Sequence, residues 1–82
     1  MRIRKQELGD MNIVGAKIES RRKALNMKQK DLLAQLQVKG IDLNSSGLSK
    51  IEGQLRGVSD YELKALAESL DVSVNWLLGI DE

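Results

Sequence analysis

Seven consecutive residues, Asn44-Ser45-Ser46-Gly47-Leu48-Ser49-Lys50, hold three hydroxyls, an amide and an ammonium. Their chemistry is recognition: hydroxyls exchange hydrogen bonds with several base edges, and a lysine can address the O6 and N7 acceptors of guanine. A short helix bearing such groups, poor in bulky residues and preceded by another helix and a turn, fits a DNA major groove about 12 Å wide. Catalysis has little to draw on. The chain has no His and no Cys, which removes imidazole bases, thiolate nucleophiles and zinc sites built on sulfur or nitrogen. The acids read as helix caps and surface charges rather than as a carboxylate pair in a cleft. No enzyme activity, cofactor or metal is expected.

The charge pattern points to the same class of partner. Residues 1–30 hold nine Lys/Arg against three acids and residues 31–82 hold four against nine, so a segment of +6 is followed by one of −5 and the total is +1. A basic segment attracts polyanions through counterion release and field steering even when the molecule is near neutral. The plain alternative is a solvated helix face. Arg2, Arg4 and Lys5 lie in residues 1–11, read as an N-terminal arm that is either flexible or an appended leader, with Met11 a second start or the join.

These groups need a scaffold, and 82 residues provide one domain, since domains run from roughly 50 to 250 residues. At 41% apolar and 30% charged the composition is that of a globular protein. Apolar stretches such as Trp76-Leu77-Leu78 fall far short of the roughly 18 residues of a membrane span. The basic start is not followed by the apolar run of a secretory signal. A soluble, cytoplasmic protein with no membrane partner is expected.

Periodicity divides residues 12–79 into five helices, with residues 80–82 a tail. Ile13, Val14, Ile18 and Leu25 form the apolar face of a first helix over Asn12–Leu25, capped by Asn12 or Asp10. Asn26 can take a left-handed turn. A second helix starts near Lys28-Gln29-Lys30-Asp31 and presents Leu32, Leu33, Ala34, Leu36 and Val38. Lys39–Leu43 forms a loop ending at Asn44, the cap of a third helix over Ser45–Glu52 in which Leu48 and Ile51 face inward and Gly53 follows as a terminator. Gly47 weakens that helix by about 1 kcal/mol relative to alanine, which suits close approach to the second helix or to a DNA backbone, or is a tolerated local weakness. Ser59 and Glu62 make a capping box, and Val58 with Leu63 a hydrophobic staple, for a fourth helix presenting Leu63, Leu66, Ala67 and Leu70. Ser73 caps a fifth helix carrying Val74, Trp76, Leu77 and Leu78 and ended by Gly79. Trp76 and Tyr61 are assigned to the core and a helix start rather than to a stacking surface for bases, since single-strand binders use several exposed rings. The expected core is Ile18, Leu32, Leu33, Leu48, Ile51, Leu63, Leu66, Leu70, Trp76 and Leu77.

Taken in order, Val14-Gly15-Ala16-Lys17-Ile18, Arg22-Lys23-Ala24-Leu25-Asn26-Met27-Lys28-Gln29, Asp31-Leu32-Leu33-Ala34, Leu48-Ser49-Lys50-Ile51-Glu52-Gly53 and the run from Leu66 to Gly79 resemble the XRE/Cro-repressor family of helix-turn-helix regulators. The resemblance covers residues 12–79 and implies an all-α, compact five-helix, lambda-repressor-like DNA-binding domain. One departure stands out: Ala34 and Glu52 are 18 positions apart, which makes the turn around Lys39–Leu43 about four residues longer than in the family, a small entropic cost.

The resemblance implies roles. Ser45, Ser46, Ser49 and Lys50 would contact bases from the reading helix, Lys50 being the strongest candidate. Gln29 would contact phosphate at the start of the second helix, with Lys28 and Lys30 beside it and backbone donors of the first turn helping. Asn44, Arg56, Asn12 and Lys17 are further phosphate candidates. Arg22 and Glu52 would pair as a structural clamp. Such readers bind two half-sites with two-fold symmetry, so the implied function is a homodimeric regulator, most simply a repressor, of an inverted-repeat operator on double-stranded DNA. Only Ile80-Asp81-Glu82 follow the fifth helix, so inducer sensing is expected from a protein regulator. The alternatives are a DNA-binding antitoxin held by a toxin partner, and a helical adaptor that does not bind DNA by itself.

Overall fold

The structure is a computed structural model that describes residues 7–80; Arg2, Arg4 and Lys5 lie outside them. Five helices follow one another: α1 (Gly15–Ala24), α2 (Gln29–Val38), α3 (Ser45–Glu52), α4 (Asp60–Leu70) and α5 (Val74–Leu78), with no strand among the described residues. Helices α1 and α2 both pack against α3 and α4, and α5 packs on α4. No helix of the described residues is long and apolar enough to cross a membrane.

Local chemistry sets most boundaries. The Asp31 carboxylate accepts the Lys28 N–H at 2.9 Å at the start of α2. The Asn44 side chain accepts the Gly47 N–H at 2.7 Å and caps α3. Ser59 and Glu62 close the capping box of α4 reciprocally, at 3.0 and 3.3 Å. Ser73 Oγ accepts the Trp76 N–H at the start of α5. Asn26 and Asp71 take left-handed backbone after α1 and α4, and Gly79 does so after α5. At the end of α4 the Arg21 guanidinium donates to the Leu70 carbonyl at 2.8 Å, pairing one of the acceptors a helix end leaves open.

Ile18, Leu32, Leu36, Leu48, Ile51, Leu66, Leu70 and Leu77 form the buried centre, and Leu33 and Leu63 pack half-buried against it. Several expectations are corrected. Trp76 is 41% exposed: α5 has five residues and turns Leu77 into the core, and a helical step of about 100° swings its neighbour outward. Tyr61, by contrast, stands at a helix start as expected, exposed on the first turn of α4. Val38 is 88% exposed, on the outer side of the last turn of α2. Helix α1 begins at Gly15 rather than Asn12, leaving Ile13 ahead of the helix and exposed, and Leu25 is exposed at its other end. Gly53 keeps right-handed backbone, and Gln54 takes the left-handed position after α3. Ile41, in the loop between α2 and α3, is buried, so the long connection is anchored on the core. The space that Gly47 leaves is filled by Leu43, whose Cδ1 would lie 2.7 Å from an added Cβ, and not by α2.

The N-terminal segment also differs from a free arm. The Gly9 N–H donates to the Gly53 carbonyl at 2.8 Å and the Met11 N–H to the Gln54 carbonyl at 3.0 Å. The Gln54 side chain donates back to the Gly9 carbonyl at 3.0 Å and accepts the Ala16 N–H. Two glycines permit this approach. A Cβ on Gly9 would run into the Gln54 carbonyl, and one on Gly15 into the Ile51 carbonyl.

Candidate functional site

The outer face of α3 carries Ser45, Ser46, Ser49 and Lys50, all exposed, while Leu48, Ile51 and Glu52 on the opposite side are buried. A helical period of 3.6 residues produces this division. Beside it, the start of α2 holds exposed Lys28 and Lys30 and half-buried Gln29. The amide of Gln29 donates to Ser49 Oγ at 3.3 Å and to Glu52 Oε1 at 3.0 Å. The start of α2 and the middle of α3 are thereby tied together, and three hydrophilic groups of the site share one network.

That network rests on an ion pair. Arg22 Nε meets Glu52 Oε2 at 2.7 Å and Nη2 meets Oε1 at 3.0 Å. The third guanidinium nitrogen, Nη1, donates to the Met27 carbonyl at 2.9 Å. Arg22 and Glu52 are 8% and 1% exposed. The hydrogen bonds to Glu52 raise the Arg22 pKa above its ordinary value against the opposing effect of burial. A planar fork on a carboxylate fixes orientation as well as distance, so α1 holds the inner side of α3 through this pair.

The remaining candidates have internal partners. Asn44 caps α3 from an exposed position at the edge of the serine face. The Asn12 amide is fully engaged: Oδ1 accepts the N–H groups of Val14 and Gly15 at 3.0 and 2.8 Å, and Nδ2 donates to the carbonyls of Ile51 and Arg56 at 3.1 and 2.8 Å. These bonds join the chain before α1 to the end of α3. Lys17 Nζ donates to the Trp76 carbonyl at 2.9 Å and stands 5.1 Å from the centre of the Trp76 ring, a cation–π distance. Arg56 meets the Glu62 carboxylate at 3.3–3.5 Å. Burial disfavours the Glu62 carboxylate, yet the Ser59 N–H, the Arg56 guanidinium and the Ser59 hydroxyl together hold its pKa below the ordinary value. Lys17 and Arg56 therefore act first as ties between α1 and α5 and between the α3–α4 loop and α4.

Two contributors escaped the sequence reading, Gly9 and Gln54, and Gly15 was read only as part of the first helix and of the stretch that carries the resemblance. The glycines at 9, 15, 53 and 57, around the two stretches that meet, were the only signal of the close approach, and nothing in the sequence singled out Gln54. Searches against protein-family models, curated proteins and solved structures find no match to this chain.

Proposed function

We propose that the chain is a sequence-specific, double-stranded DNA-binding regulator of the XRE/Cro class, in which α2, the turn and α3 form a helix-turn-helix and α3 reads the major groove. One observation carries the reading: an eight-residue helix has its inner side buried and clamped while its outer side holds only small hydroxyls and Lys50. An amphipathic helix built merely to cover a core has no need of a second, rigidly held polar side. A helix entering a groove needs both a smooth, hydrogen-bonding face and a fixed angle.

In this reading Ser45, Ser46, Ser49 and Lys50 address base edges, and Lys28 and Lys30 address phosphates. Gln29 sits at their junction, held by Glu52 and Ser49. Binding as a homodimer to an inverted repeat supplies the affinity that one small module lacks. Occupancy of a promoter then represses without catalysis or cofactor, and the expected compartment is the cytoplasm of a bacterial cell, for a bacterial or a phage protein. Selection from a randomised duplex pool at near-physiological salt tests this. Enrichment of an inverted repeat supports the reading, and recovery of no sequence by a folded protein rejects it.

A further inference from the structure

We infer, resting on that reading of α3, that residues 9–12 and Gln54 form a clasp that sets the angle of the reading helix, and that this clasp is a determinant of DNA sequence specificity. Every member lies outside the groove-facing surface.

The two ends of α3 are held unequally. At the C-terminal end, the Asn12 amide binds the Ile51 carbonyl, the Gly9 N–H binds the Gly53 carbonyl and the Met11 N–H binds the Gln54 carbonyl. The Ile51 carbonyl is one of the acceptors in the last turn of α3, and the Gly53 and Gln54 carbonyls belong to the two residues that follow the helix. Gln54 completes the clasp by joining Gly9 to the first turn of α1. The N-terminal end follows six connecting residues, 39–44, fixed to the core through Ile41. Between the ends, α3 buries only Leu48, Ile51 and Glu52.

Eight helical residues span about 12 Å, so a 10° tilt about the C-terminal end moves the first turn by about 2 Å. Hydrogen bonds to base edges tolerate only a few tenths of an ångström around 2.7–3.2 Å. Ser45 and Ser46 stand at that far end. Loosening the clasp therefore degrades base readout, while attraction of Lys28, Lys30 and Lys50 to the phosphate backbone, which needs no exact angle, persists.

The test uses the full 82-residue chain, the duplex it enriches from a random pool, and a scrambled duplex as the non-specific reference. Gly9→Val drives a side chain into the Gln54 carbonyl, and Gln54→Ala, a milder change, removes two bonds without adding bulk. Ala65→Gly on α4, outside the clasp, serves as a variant weakened in stability alone. Affinities are measured at a temperature where each protein is folded, with exchange of the Gly9 and Met11 amides reporting the clasp. The expected result is a drop of about tenfold in the ratio of specific to non-specific affinity for Gly9→Val, comparable to the loss of one base pair's recognition, a smaller drop for Gln54→Ala, and an unchanged ratio for Ala65→Gly. If Gly9→Val does not fold, Gln54→Ala decides. An unchanged ratio in a clasp variant whose Gly9 and Met11 amides have lost protection overturns the inference while leaving the DNA reading intact. Failure of the unaltered chain to enrich any duplex, with those amides protected, overturns the DNA reading itself and the inference with it.

Discussion

Arg22 and Glu52 meet through two roughly parallel bonds, 2.7 and 3.0 Å long, and both residues are almost wholly removed from solvent. A pair in this setting is asymmetric in its consequences. Desolvation cancels much of the attraction when both partners are present, but a single survivor leaves an unpaired charge in the interior. Arg22→Ala or Glu52→Ala is expected to cost about 3–5 kcal/mol, a large share of a small domain's stability. The double replacement Arg22→Ala with Glu52→Ala is expected to cost clearly less than the sum of the two single truncations, because neither charge is then left unpaired. Urea denaturation of the four proteins closes the cycle, and additive losses would show that the two groups do not act as a pair.

Glu62 gives stability a pH dependence. Its pKa is lowered in the folded protein, because the Ser59 N–H, the Arg56 guanidinium and the Ser59 hydroxyl outweigh the opposing effect of burial. A depressed carboxyl stabilises the fold at pH values above its unfolded pKa, and that contribution disappears as pH falls through the folded value. The stability difference between the native protein and Glu62→Gln should therefore be constant near neutrality and shrink as the solution is acidified below the ordinary carboxylate range. Denaturant midpoints of both proteins between pH 7 and pH 3 provide the comparison. A gap that stays constant down to the acid end would remove Glu62 from the acid response.

The capped helices were legible because their signals are local. Ser59 with Glu62, Ser73 with the Trp76 N–H and Asn44 with the Gly47 N–H each act over three residues, within reach of a periodic reading. Leu32, Leu48, Leu66 and Leu70 were legible because helical spacing places them on one side. Asn12 was not, since its donors go to carbonyls 39 and 44 residues away. Nothing near Asn12 in the chain distinguishes a hub from an ordinary cap. Trp76 was misplaced for a different reason: size and apolarity favour burial, but α5 turns Leu77 and Leu78 toward the core and leaves the ring before them outside. The serine face was legible in composition. Its attachment to α2 through Gln29 and Ser49 required the fold.

Ser69 is a buried residue of α4 whose hydroxyl has no hydrogen-bond partner among the described residues. An unsatisfied buried polar group costs about 1–3 kcal/mol, and alanine is the better helix former. Ser69→Ala is expected to raise stability by about 1 kcal/mol, read as a higher denaturation midpoint with an unchanged slope. A loss of stability would show that the hydroxyl has a partner that matters to the fold.

Lys50 and the pair Lys28 and Lys30 are all exposed cations, but they stand in different places. Lys50 lies on the serine face of α3, and Lys28 and Lys30 flank the start of α2. If α3 enters the groove, Lys50→Ala should relax selection at one base position and cost about 1–3 kcal/mol on the preferred duplex. Lys28→Ala and Lys30→Ala should instead weaken all duplexes alike, each reducing the slope of log affinity against log salt by about 1. Repeating the duplex selection and the salt titration with each variant separates the two behaviours. Should Lys50→Ala reduce only the salt slope and leave the selected sequence unchanged, Lys50 is a backbone contact and base recognition falls to Ser45, Ser46 and Ser49 alone.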